Sequence, residues 1–264
     1  MRDIQSEILA GLDKIEEEYG VKILLAVESG SRAWGFASPD SDYDVRFIYV
    51  RRKSDYLSIS PKRDVIEWQL DDVLDINGWD LTKALMAYAK GNPNVIEWAK
   101  SPIVYRKSKC WDKAAQAAFG YFSEKASLCH YYGTAYSTYK TYLTGDSVRY
   151  KKYFYALRPL LCCRYIEHFH QIPPMEFKDL LPLFDLGLPD LDAELLNAID
   201  YLLERKKVTE EKDLNPQIPE IISYIERECE QQHILSDALA DDHKRDYTAL
   251  DEAFRYILEN EDLT

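Results

Sequence analysis

The stretch AVESGSRAWGFASPDSDYDVRFIYV, residues 26–50, sets a Gly-Ser turn, a Pro-Asp-Ser loop and two aspartates one residue apart between two apolar runs. The apolar run VKILLAV leads into it, and VRFIYV, rich in β-branched and aromatic residues, closes it, so the segment reads as strand, polar loop, strand. Carboxylates at i and i+2 of a strand share one face because side chains alternate. Asp42 and Asp44 are therefore expected side by side at the mouth of the second strand. Carboxylates that close repel, and at least one pKa must rise unless a cation holds them. A divalent ion removes the conflict, and hard oxygen ligands suit Mg²⁺ or Mn²⁺, which commonly take one or two carboxylates together with substrate phosphates. The expectation is a nucleotide site.

The turn supplies the other half of such a site. Gly30 lets the backbone approach a ligand, the Ser31 hydroxyl stands beside exposed N–H groups that can hold phosphate oxygens, and Arg32 adds a cation. Phosphate cradle and metal ligands then meet at one edge of the sheet, as phosphoryl transfer requires.

Working outward, residues 3–18 place Ile4, Ile8, Leu9, Leu12 and Ile15 on one helical face, with Gly20 as the stop. RDVIEWQL and VLDINGW are further strands, and Asp80 stands where an N-cap belongs before LTKALMAYAKG, whose Gly91 suits a helix end. After SPIVY the pattern turns helical. The spacing predicts one or two helices over 113–144, another over 147–170 that Pro159 kinks or interrupts, a Pro- and Leu-containing connection over 171–192, and helices near 190–206, 216–234 and 235–259. The fold class is α+β, a mixed β-sheet with flanking helices over residues 1–105 followed by an α-helical domain over 106–264.

With 264 residues, 46% of them hydrophobic, the chain can bury a sizeable core. Its net charge of −13 argues against gripping nucleic acid or anionic membrane through an overall field, so any phosphate contact is local. Cys110, Cys129, Cys162, Cys163 and Cys229 show no CxxC spacing, and no apolar run reaches the length of a membrane span. A soluble protein of the reducing cytoplasm is expected.

GSRAWGFASPDSDYDV resembles the signature of the DNA polymerase β-type nucleotidyltransferase superfamily. More narrowly, GSRAWGF, KGNPNVIEWAKSPIVY and KKYFYALRPLL together resemble the predicted nucleotidyltransferase family that includes the RNA-repair-associated protein RlaP. The resemblance, over about residues 22–165, implies Mg²⁺-dependent transfer of a nucleoside monophosphate from an NTP to a hydroxyl, an RNA terminus among the candidate acceptors, with pyrophosphate released. It makes Gly30 and Ser31 the triphosphate turn and Asp42 and Asp44 metal ligands, joined by a third carboxylate. Glu67, Asp75 and Asp80 are all flanked by apolar residues, so their pattern does not choose among them. Asp80 is better explained as the helix N-cap, and the family pattern favours Asp75, with Glu67 second.

SVRYKKYFYALRP concentrates Arg149, Lys151, Lys152 and Arg158 in an acidic chain. This face can meet a triphosphate or an RNA end, with Lys152 and Arg158 matching the family segment, or it can be a solvated face offsetting nearby acid. KGNPNVIEW reads first as a helix stop and restart. The plainer reading of the motif itself makes Asp42 an Asx-turn residue and Asp44 an edge charge. On the alternative functional reading, the chain keeps the fold without turnover, as a nucleotide- or RNA-end-binding module in an antitoxin-like or repair complex.

Overall fold

A computed structural model describes residues 3–38, 40–71, 73–206 and 213–261; Pro39, expected in the loop before the aspartates, lies outside them. In chain order the elements are α1 (Ile4–Tyr19), β1 (Lys22–Glu28), α2 (Gly30–Ala33), β2 (Tyr43–Val50), α3 (Lys53–Tyr56), β3 (Val65–Asp71), β4 (Leu74–Asp80), α4 (Leu81–Ala89), α5 (Pro93–Lys100), β5 (Val104–Lys107) and α6 (Trp111–Phe119). There follow α7 (Glu124–Tyr142), β6 (Ser147–Arg149), α8 (Tyr150–Phe169), a 3-10 segment (Phe177–Leu186), α9 (Ala193–Lys206), β7 (Leu214–Pro216), α10 (Pro219–Ala238) and α11 (Thr248–Asn260). Among the described residues no helix is long and apolar enough to cross a membrane.

The chain divides into two compact units: Met1–Ala33, Asp42–Phe122 and His243–Thr264 form one, Trp34–Ser41 and Ser123–Asp242 the other. This differs from the boundary expected near residue 105. Helix α6 buries Trp111, Ala114 and Ala118, α11 buries Leu250, Ala253 and Ile257, and the two helices pack together within the sheet unit. An amphipathic stripe announces that a helix needs a core but not which one, so composition alone could not assign them.

The sheet runs β3-β4-β2-β1-β5, with β2 and β4 parallel and every other neighbouring pair antiparallel. Helix α1 opens on Asp3, whose carboxylate accepts from Ser6 N–H at 3.2 Å, and closes on Gly20 at φ 59°. Its Ile8, Leu12 and Ile15 cover Ile23 and Ala26 of β1, Val45, Phe47 and Tyr49 of β2, and Leu74 and Ile76 of β4. Each such side chain contributes roughly 1.5–3 kcal/mol when fully buried. The same alternation that turns Val45 and Phe47 inward turns Asp44 and Arg46 to the opposite face. On β4, buried Leu74, Ile76 and Gly78 alternate with half-buried Asp75, Asn77 and Trp79.

Gly78 is required on the core face: a Cβ there would enter the Phe47 ring, itself fully buried. Gly78→Ala is expected to destabilise the protein by about 1–3 kcal/mol, the usual cost of overpacking, and a urea midpoint unchanged from wild type would refute the contact. Asp80 is the N-cap the sequence predicts, its Oδ1 accepting from Thr82 N–H at 2.8 Å.

In the helical unit α7, α8 and α10 pack on one another. Of the kink or interruption expected at Pro159, the interruption does not occur: helix α8 runs unbroken through it. A proline inside a helix costs about 3 kcal/mol; here Phe154, Leu157, Leu160 and Leu161 around it are fully buried, and that packing offsets the lost hydrogen bond. The helix expected over 235–259 is instead the end of α10 and a separate α11. Segment 34–41 belongs to this unit because its aromatics do: Phe36 stacks on Phe154 with centroids 4.6 Å apart, and Trp34 meets Tyr155 edge-on at 5.3 Å.

Candidate active site

Strand β1 ends in a carboxylate. Glu28 is fully buried, its Oε1 accepts the Asp44 N–H at 2.8 Å, and its Oε2 accepts the Tyr105 hydroxyl. Burial pushes the Glu28 pKa up, and the hydrogen bonds from Tyr105 and from the Asp44 backbone recover only part of that shift. Burial and the bond to Glu28 in turn hold the Tyr105 phenol well above its ordinary value, so it stays a donor. One residue on, Ser29 N–H donates to Asp44 O at 2.8 Å. The β1 end and Asp44 are thus fixed to each other through the backbone.

Gly30 then turns the chain at φ 61°, a left-handed conformation open to glycine at little cost. The requirement is also steric: a Cβ at Gly30 would fall on Asp44 Oδ2 and stand 3.3 Å from its Cγ. Gly30→Ala is expected to cost about 1–2 kcal/mol of backbone strain and, by displacing the Asp44 carboxylate, about a hundredfold in turnover. Thermal melting and an activity assay on the same preparation separate the two effects, and full activity would show that Asp44 has no fixed position to lose. Ser31 is buried behind the turn. Arg32 lies over the Tyr43 ring, 3.6 Å from its centroid, and its Nε donates to Asp42 O at 3.0 Å, bracing the entry to β2.

Strand β2 begins at Tyr43, so Asp42 stands exposed one residue outside the ladder while Asp44 is half-buried within it. The neighbour of Asp44 across the parallel ladder is Asp75. Between them lies Arg46, whose Nη2 is 3.1 Å from Asp44 Oδ1 and 2.8 Å from Asp75 Oδ2. Its Nη1 donates to Val45 O at 3.0 Å.

The structure therefore sets Asp75 beside Asp44. Glu67 is one strand further out, exposed and 2.6 Å from Arg63 Nη2. Asp80 is buried in its capping role and receives the Tyr56 hydroxyl at 3.0 Å. Gly30, Asp44 and Asp75 come together with Arg46 and Glu28. Lys152 and Arg158 belong to the helical unit. There the Lys152 ammonium lies 4.1 Å from the Tyr142 ring centroid. Arg158, 1% exposed, donates Nε–H to Met175 O at 3.1 Å and covers Trp34.

Sequence reasoning passed over two side chains of this site. Arg46 is i+2 from Asp44, and the alternation that pairs the aspartates puts it on their face as well. Glu28 carried a signal too, a carboxylate ending the run ILLAV.

The donor set fits a hard divalent cation. Asp44 and Asp75 present carboxylate oxygens on one face at matched register, Asp42 is exposed at the strand entry, and the absence of a side chain at Gly30 lets the Asp44 carboxylate lie against the turn.

Residues 4–256 match the family described as RlaP, RNA repair pathway DNA polymerase beta family. The chain is 47% identical over 229 residues to the uncharacterized protein YcgL of Bacillus subtilis (strain 168), with 86% of each chain covered. A solved structure that it resembles is a nucleotidyltransferase-like protein from Exiguobacterium sibiricum 255-15, 14% identical with a TM-score of 0.32, the alignment covering 94% of this chain and 80% of that one. On a family match that runs almost end to end, this chain belongs to the RlaP family, within the DNA polymerase β-type nucleotidyltransferases.

Proposed function

We propose that the chain transfers a nucleoside monophosphate from an NTP to a hydroxyl acceptor, an RNA terminus being the acceptor suggested by its family. The observation that carries this reading is the in-register pair Asp44 and Asp75, with the Asp44 carboxylate packed against the Gly30 turn. The acceptor oxygen bonds to the α-phosphorus as the α–β bridging P–O bond breaks, and pyrophosphate leaves with the bond's electron pair. The acceptor proton passes to a carboxylate of the pair. Asp75, with 48% of its side chain exposed against 32% for Asp44, is the more accessible to an incoming hydroxyl.

Asp42, Asp44 and Asp75 would hold Mg²⁺ or Mn²⁺, which would supply positive charge for the phosphates and the developing acceptor oxyanion. Gly30 and Ser31 provide the turn for the triphosphate, and Glu28 holds the Asp44 backbone in place. Of the helical-unit cations, half-buried Lys152 has surface with which to meet an anion, whereas Arg158 is committed to Met175 and Trp34.

The test is incubation with each α-labelled NTP, Mg²⁺ and cell RNA, reading label transfer and pyrophosphate release together. Transfer with release supports the reading. Nucleotide binding by calorimetry without release from any NTP would instead favour a binding module.

A further inference from the structure

We propose that Arg46 is a built-in counter-ion that occupies the metal-ligating edge of Asp44 and Asp75, so that a divalent cation loads only by displacing its guanidinium. The inference rests on the carboxylates being metal ligands and concerns what governs their loading.

Two like charges directly opposite one another on neighbouring strands destabilise a sheet. Here a single nitrogen, Nη2, reaches both carboxylates at 3.1 and 2.8 Å and removes that repulsion. The oxygens it holds are Asp44 Oδ1 and Asp75 Oδ2, while Asp44 Oδ2 faces Gly30. A hard divalent cation binds carboxylate oxygen at about 2.0–2.6 Å, and it cannot bridge this edge while the guanidinium lies between the two oxygens. Arg46 does not lose its proton in a protein, so its charge is removed from the edge only by movement. Besides the two carboxylates the head holds two backbone carbonyls through Nη1, Val45 O at 3.0 Å and Asp75 O at 3.4 Å, and with 20% of its side chain exposed it has solvent to move toward.

Two consequences follow. The free protein takes up metal weakly because the ion meets a site whose charge is already compensated. In return the metal-free β2–β4 edge stays aligned. A triphosphate brings further negative charge and shifts the balance toward the metal, which makes loading depend on the nucleotide.

The experiment is Mn²⁺ binding by calorimetry, without nucleotide, on wild type, Arg46→Gln, Arg46→Ala, Arg46→Lys and Asp44→Asn, each also melted with EDTA and with Mn²⁺. Arg46→Gln and Arg46→Ala are expected to bind Mn²⁺ about tenfold more tightly than wild type. They should melt lower in EDTA and gain more than wild type on adding Mn²⁺. Arg46→Lys keeps the charge and should stay within about threefold of wild type. An unchanged or weaker affinity in the folded Gln and Ala variants overturns the proposal, as does a Lys variant as tight as Gln. Asp44→Asn separates the two levels of inference: if it binds Mn²⁺ as wild type does, or if wild type and the Arg46 variants bind none, the metal-ligand reading itself fails.

Discussion

Asp44→Asn is expected to lower nucleotide transfer by about a thousandfold or more while leaving the protein folded. The substitution keeps the shape of the side chain and leaves untouched the backbone bonds that fix residue 44, Asp44 N–H to Glu28 and Ser29 N–H to Asp44 O. It removes one negative charge from a site whose proposed work is to hold positive charge against phosphate. Metal stabilisation of such a transition state is worth several kcal/mol, and each 1.4 kcal/mol is a decade in rate. The cost in stability is small, up to about 1 kcal/mol, because the lost ion pair to Arg46 is partly exposed and screened. Asp75→Asn should behave alike. Glu67→Gln, at an exposed carboxylate paired with Arg63, should retain activity within about twofold. Label transfer from an α-labelled NTP measures all three. An Asp44→Asn protein as active as wild type removes the site from the chemistry, and equal losses at Glu67 and Asp75 would leave the third carboxylate unassigned.

The second large effect concerns stability in the helical unit. Glu228 of α10 is 1% exposed. Its Oε1 accepts Gln232 Nε2–H at 2.8 Å and lies 3.9 Å from Arg164 Nε, and its Oε2 has no hydrogen-bond partner among the described residues. Burial raises its pKa to about 7; Gln232 and Arg164 pull it down, and Glu167 and Asp190 push it up. The folded pKa lies above the unfolded value, so folding favours the protonated acid. The stabilisation is full below about pH 4.5 and is lost as pH rises through about 7. A shift of this size corresponds to roughly 3 kcal/mol. Glu228→Gln keeps the volume and carries no charge to bury. It is expected to be more stable than wild type by about 2–3 kcal/mol at pH 8, and the difference should shrink toward pH 5. Denaturant unfolding of both proteins at the two pH values gives the difference directly. A Gln variant less stable at pH 8 would mean that the carboxylate is ionised and well paired in the fold.

How much of the site could be read in advance differs residue by residue. Gly30 and Asp44 were legible because a positive-φ turn and a strand-borne carboxylate leave local marks, a glycine after an apolar run and an aspartate in strand alternation. Asp75 was legible only as one of three carboxylates with similar apolar flanks. Its selection depends on β2 and β4 being parallel neighbours in a register that sets 75 opposite 44, a long-range pairing with no local signature. Glu28 and Tyr105 are 77 residues apart, so their hydrogen bond is invisible to any window of sequence. Arg158 shows the converse. Its charge and its helical spacing suggest an anion-facing residue, but the burial of α8 turns it onto Met175 and Trp34.

By itself the sequence determined α1, strands β1 to β4 and α4, though not the short helices α2 and α3, together with the glycine stop of α1, the N-cap at Asp80 and the placing of a carboxylate beside a Gly-Ser turn. Each of these follows from backbone conformation and side-chain period, which act over a few residues. Only the tertiary structure decided which carboxylate joins Asp44, that Arg46 compensates the pair, and that α6 and α11 belong with the sheet while segment 34–41 belongs with the helices. Those choices follow from strand register and from which apolar faces bury one another, quantities that no short stretch of the chain contains.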